Sequence, residues 1–335
     1  MRTGVVPRLL KSLRCAFNSA VPPRFSFPIC NGNAMSWLFF AFCGPVLWAI
    51  SMHFDKYLVE RFFKQANVAV LLVFTALVGM VMVPFIWVFR PEVIAFDASS
   101  IAVVVFSGLL QMGAMYFYLV ALQSEEASVV APFFQASPLF AYGLGFFVLG
   151  ERLSAMQMAG GASIVVGGLV LSVRWGDGAR IKLRLVLLML ACAFALALSS
   201  LIFKIFAVRD DFWTTTFWTF VGQAVFGAGV LAIGRYRREF LRLLRENTRP
   251  LLAINAANEL INLGGGLGSR FALTLAPLSL VQAITSTTSL FVFVFGIVLS
   301  ILLPSLGRED LSGRELLKKG LGGVLIVVGV TLITW

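Results

Sequence analysis

Apolar residues run along this chain in blocks of roughly twenty, the length an α-helix needs to cross a hydrocarbon core. Ten such blocks cover residues 36–56, 67–89, 99–121, 127–149, 155–174, 184–207, 213–234, 250–273, 279–303 and 319–335. In lipid a helix satisfies its own backbone hydrogen bonds, so the pattern predicts a helical bundle rather than strands or a barrel. The connections are short. The longest are "RYRREFLRLLRENTR" before the eighth block and "PSLGREDLSGRELLKK" before the tenth, and neither leaves room for a soluble domain.

Composition agrees: 59% of residues are hydrophobic and only 13% charged, which places the chain among polytopic membrane proteins. The net charge of +11 reads as loop topology, because most Lys and Arg fall between apolar blocks; no nucleic-acid partner is expected. Cys15, Cys30, Cys43 and Cys192 lie far apart and His53 is the single histidine, so neither a metal nor a cofactor is implied. Residues 1–34 carry five basic residues and no acid, with four prolines and no continuous apolar run. They are expected to be a basic extension, non-native or non-essential. A mitochondrial-type targeting segment is the alternative, and a cell (inner) membrane is the expected location.

Internal repetition organises the rest. "ALQSEEASVVAPFFQASPLF" (121–140) aligns without a gap with "ALTLAPLSLVQAITSTTSLF" (272–291), and "GGASIVVG" (160–167) with "GGVLIVVG" (322–329). Upstream, "AISMHFDK" matches "ALSSLIFK", which pairs Lys56 with Lys204, while Gln111 and Gly113 align with Asn262 and Gly264. Each copy, 35–174 and 175–335, spans five blocks. An odd number of crossings turns the second copy upside down, the inverted-repeat arrangement of secondary transporters. The expected fold is therefore an all-α membrane protein of ten transmembrane helices in two inverted five-helix repeats.

The stretch 121–172, with its "S.V.AP" start, "SPLFA", "LGERLS" and the glycine-rich block that follows, resembles the EamA domain of the drug/metabolite transporter superfamily. The second copy departs from it: Pro132 and Pro138 become Ala283 and Ser289, and "LGERLS" gives way to a longer insertion around "LGRED". The resemblance implies ten helices around a central cavity and transport of a small metabolite or drug, often outward. It names no cargo, and the membrane glutamate that small multidrug members carry in their first helix has no counterpart in the first block.

Candidate site residues come from polar positions at membrane depth. At 100° per residue, Asn255, Asn258, Glu259, Asn262, Gly266 and Ser269 share one helical stripe about 100° wide. A carboxylate at a helix centre costs about 2.5–3.5 kcal/mol against lipid, so this face should look into protein. One reading has it line the substrate pathway, with Glu259 as counter-charge or proton carrier; the other has the amides bond neighbouring helices. The third block offers Gln111 and Tyr118, the fourth and ninth Gln135 and Gln282. Lys56 and Lys204 end the first helix of each half, where long basic chains snorkel to the interface or draw a substrate carboxylate, and His53 sits one turn before Lys56, near Asp55. Glu151, in "LGERLS" beside Arg152, reads as a cap or local ion pair. Ala159, Ser163 and Gly167 form a small-residue ladder, as do Gly264 and Gly268. Spacing leaves open whether the fifth and tenth helices pack within one chain or across a homodimer.

Loops after odd-numbered blocks hold most of the Lys and Arg, which by the positive-inside rule puts both termini outside, whereas the family resemblance implies termini inside. With one histidine and no paired carboxylates in the blocks, an intramembrane enzyme lacks material. The expected function is a secondary transporter, an exporter of an amino-acid-like or drug-like metabolite. A sugar-phosphate or nucleotide-sugar exchanger is the alternative, and a membrane scaffold or sensor subunit the non-transport one.

Overall fold

The computed structural model describes residues 34–62, 67–124, 130–172, 183–302 and 313–334. Almost all of them are helical, and no strand occurs among the described residues. The helices are α1 (Ala34–Phe62), α2 (Val68–Phe89), α3 (Ala98–Ser124), α4 (Ala136–Leu144), α5 (Ala155–Ser172), α6 (Leu183–Arg209), α7 (Phe212–Ala232), α8 (Gly234–Leu275), α9 (Leu278–Thr285), α10 (Thr288–Leu302) and α11 (Gly313–Thr334). Side chains set several starts. Asn67, Asp97 and Asp211 accept from the amides of Ala69, Ser100 and Thr214 at 2.9, 2.8 and 2.8 Å, satisfying donors that a helix leaves orphaned at its first turn.

Six helices are long and apolar enough to cross a membrane, and three shorter apolar ones cover Phe133–Leu149, Ala155–Val170 and Gly320–Ile333. Although α8 runs for 42 residues, it is not among the six, because Asn255, Asn258, Glu259, Asn262 and Arg270 interrupt its apolar sequence. Large apolar side chains such as Val81, Phe89, Phe147, Leu183, Leu260 and Val324 point outward, the surface a lipid environment covers.

Several predicted edges are corrected. The basic stretch before the eighth block is not a loop but the start of α8. Its arginines, leucines and glutamates are good helix formers, and Phe240 and Leu243 are buried, Phe240 with its ring 5.2 Å from that of Phe74. The fourth block begins as a 3-10 turn at Ala131–Gln135, where Pro132 removes a backbone donor, and ends in a π-turn at Gly145–Leu149. The ninth breaks between α9 and α10, around Ser286 and Thr287. Residues 1–33 and the insertion around "LGRED" lie outside the described residues.

Small residues bring helices together. On α5 and α11, a Cβ at Gly160 would come within 2.7 Å of Gly329 O, and one at Gly167 within 2.7 Å of Gly322 O, while Ser163 Oγ donates to Leu325 O at 2.7 Å. The fifth and tenth predicted helices therefore pack within one chain. The ladder is Gly160, Ser163 and Gly167; Ala159 is exposed, one step off the contact face. Gly268 of α8 abuts Cys43 of α1, where a Cβ would stand 2.6 Å from the cysteine Cβ, and Gly264 faces Leu47. Beyond these pairs, α2 packs on α7, α3 on α6 and α7, and α4 on α6 and α9.

Candidate functional site

The polar stripe of α8 faces inward. Asn255, Asn258, Glu259, Ser269 and Arg270 are buried and Asn262 and Gly266 half-buried, while Ala253, Ala256, Ala257 and Leu260 on the opposite side are exposed. This follows from the cost of polar groups against lipid: the helix turns its amides and charges toward protein. What they meet divides the site into two groups, one on either side of the glycines 264–266 and 268.

Toward the start of the α8 span, Ser51 Oγ of α1 donates to Asn258 Oδ1 at 2.6 Å, and Asn258 Nδ2 donates to Asp55 Oδ1 at 2.7 Å. Next to it, Thr75 Oγ1 of α2 donates to Glu259 Oε1 at 2.6 Å. Glu259 is 5% exposed. Neither Asp55 nor Glu259 has a cation in ion-pair contact among the described residues. Asn255 Oδ1, one turn earlier, is buried without a hydrogen-bond partner among them. Two carboxyls with only neutral donors form an acidic pair that can take up a proton or a cation, and an orphaned amide oxygen is a further free acceptor.

Beyond the glycines, Arg270 Nη2 donates to Gln111 Oε1 of α3 at 2.7 Å, and Gln223 Nε2 of α7 donates to the same oxygen at 3.0 Å. The guanidinium carbon lies 5.4 Å from the ring centroid of Phe203 and 5.2 Å from that of Phe220, within cation–π range. Arg270 is 9% exposed.

A third group lies at the C-terminal end of α8. Gly150, at φ 65°, takes the left-handed conformation that glycine allows and reverses the chain after the π-turn, so that Glu151 points inward. Its Oε1 accepts from the Leu278 amide at 2.8 Å and its Oε2 from Ser279 Oγ at 3.0 Å, capping the start of α9. Lys204 Nζ lies 3.5 Å from Glu151 Oε1 and donates to Leu273 O at 3.1 Å and to Ala276 O, the last carbonyls of α8. The expectation that Lys204 ends a helix and snorkels is thus overturned. α6 continues to Arg209, and Lys204 is 1% exposed. The Glu151 partner is Lys204, not the neighbouring Arg152, which is exposed. Lys56, its aligned counterpart, is exposed.

The remaining candidates bridge helices. Gln282 Nε2 donates to Ser200 Oγ at 2.9 Å. Gln135 Nε2 reaches Ser286 O and Ser289 Oγ, each at 3.4 Å, across a gap that only Gly168 leaves, since a Cβ there would stand 2.3 Å from that nitrogen. Tyr118 is buried in the core, its ring 5.2 Å from that of Phe134, and His53 is half-buried near the acidic pair's helix turn. The structure therefore brings Asn258 and Glu259 together with Asp55, Ser51 and Thr75, and Gln111 together with Gln223 and Arg270. Among the described residues no hydrogen bond joins Gln135, Gln282 or Tyr118 to either group. Sequence reasoning missed Asp55, Gln223 and Arg270 as site residues. For Arg270 a signal existed: at 100° per residue it falls about 60° from Asn255, at the edge of the same stripe, but its nearness to the predicted span end made it count as a loop charge. Among the described residues no group of three His, Cys, Asp or Glu side chains could hold a metal.

No curated protein matches the sequence. A solved structure described only as "Crystal structure of protein" is similar in fold, with a TM-score of 0.63 over 89% of this chain and 96% of the other at 17% identity; at that identity the likeness concerns the fold alone. The matched family consists of transporters rather than enzymes, and with the apolar helices it makes this a multi-pass membrane protein. Residues 35–173 are a domain of the EamA-like transporter family, consistent with the drug/metabolite transporter superfamily.

Proposed function

We propose that the chain is a secondary transporter of a small organic metabolite, moving it outward across the cell membrane by alternating access between two inverted halves, 35–174 and 175–335. The observation that carries this reading is the pattern of helix pairs. Exchanging the halves turns α1 into α6 and α3 into α8, so the packed pair α1–α8 becomes the packed pair α6–α3. The pairs α2–α7, α5–α11 and α4–α9 map onto themselves. Such a bundle has two equivalent ways to pack, which alternating access requires.

The buried polar groups of α8 and α3 supply the ligands, and the Asp55–Glu259 pair the coupling site. The test is flux in proteoliposomes holding the purified full chain, scanned over amino acids, amines and carboxylates. Saturable flux of a small metabolite is expected, and Glu259→Gln should cut it at least about tenfold, the factor that roughly 1.4 kcal/mol of lost interaction carries. Flux that does not saturate with any of these solutes would end the reading.

A further inference from the structure

Two cations, Lys204 and Arg270, are buried among the described residues. Lys204 has a carboxylate; Arg270 has none in ion-pair contact among the described residues. A guanidinium carries five N–H donors, and among the described residues Nη2 meets one acceptor, Gln111 Oε1. The phenyl rings of Phe203 and Phe220 flank it but carry no net charge. Removing an unpaired charge from water is costly, and in a membrane protein such a residue marks a ligand pathway more often than a fold requirement.

The surroundings are arranged for a guest. Gln111 is turned toward Arg270 by a second donor, Gln223, bonding the same oxygen. One turn before Arg270, an added Cβ at Gly266 would meet nothing within 4 Å, so α8 borders open space there that the Arg270 side chain does not fill. The guanidinium fork fits a carboxylate in a two-point contact, and one positive charge is neutralised by one negative charge, which a carboxylate brings and a phosphate monoester exceeds. Glu259 stands eleven residues earlier on α8, about 16 Å away along the axis, so a guest at Arg270 is clear of the acidic pair.

Building on the transporter reading, we propose that Arg270, positioned by Gln111 and Gln223, receives the carboxylate of the substrate, which makes the cargo a monocarboxylate or an amino acid. The acidic pair is then a separate station for the coupling cation or proton.

The test is the apparent melting temperature of the purified full chain in lipid nanodiscs, titrated with hexanoate, L-leucine, isoamylamine and glucose 6-phosphate, since a ligand that binds the native state raises it. Hexanoate or leucine should stabilise the protein while isoamylamine, which lacks the carboxylate, does not. In Arg270→Gln the affinity for the carboxylates should fall about 30-fold or more, the factor matching loss of one partner of a buried charge pair. Without ligand, Arg270→Met should melt higher than the wild type, because an uncompensated charge is gone. Carboxylate binding that survives Arg270→Gln, its absence with every carboxylate probe, or stabilisation by glucose 6-phosphate in its place would overturn the assignment. So would a ligand-free Arg270→Met that melts lower, which is the mark of a structural arginine. Flux separates the two claims. Saturable amine flux indifferent to Arg270→Gln keeps the transporter and removes the subsite, whereas Arg270-dependent carboxylate binding without flux keeps the subsite and removes the transporter.

Discussion

The two ends of the membrane part of α8 are held in opposite ways. At the C-terminal end, Lys204 and Glu151 pair charge with charge, and their remaining contacts are backbone groups: the last carbonyls of α8 and the first amide of α9. At the other end, Asn258 and Glu259 meet only side chains, and two acids face neutral donors. Backbone partners cannot move without unwinding a helix, whereas a threonine or serine hydroxyl rotates freely. The C-terminal end is therefore anchored to backbone, and the other end is held by side chains that can turn.

The largest expected effect comes from breaking the fixed end. Lys204→Met leaves Glu151 buried and unpaired and should destabilise the protein by about 3–5 kcal/mol, measurable as thermal unfolding in detergent. Between the ends lies the glycine contact with α1. Gly268→Val must push the helices apart at Cys43 and should cost about 1–3 kcal/mol, whereas Gly266→Ala, facing open space, should be neutral or slightly stabilising. At the responsive end, Glu259→Gln should change stability by less than about 1 kcal/mol even as transport falls, because the acid has no cation to lose. A loss as large as that of Lys204→Met would erase the contrast between the ends.

The smallest effect is a control away from both. In the connection before α3, hydrogen bonds from Ser100 and Ser99 hold the Asp97 carboxyl down at about 2. A lowered value means that its contribution is present above the unfolded value of about 3.9 and is lost as pH falls through about 2. Wild-type stability should therefore dip slightly over that interval, and Asp97→Asn, which keeps the acceptor, should flatten the dip without touching either end of α8.

Much of this was legible in the sequence because lipid leaves few options. Apolar runs located the helices, and the 100° stripe put Asn255, Asn258 and Glu259 on the inward face that the structure describes. What could not be read was which helix each polar group would meet. Thr75 and Asp55 look like ordinary span residues until α1 and α2 are laid against α8. Lys204 and Arg270 sit near span ends, where a basic residue usually belongs to the interface, and only the tertiary packing shows that both are inside. The continuous start of α8 was hidden for the opposite reason: its charges resemble a loop, yet they lie on a helix whose apolar side is covered by α2.

That start has its own consequence. Forty-two residues make about 63 Å of helix, roughly twice the thickness of a hydrocarbon core, so the arginine-bearing turns from Arg235 to Arg245 stand in water while Glu259 sits in the bundle. The same helix joins them, and a tilt in the bundle swings its outer turns through a wider arc. A fluorophore at Arg238 would act as a pointer on a dial, reporting from the far end of α8 how its inner turns tilt within the bundle.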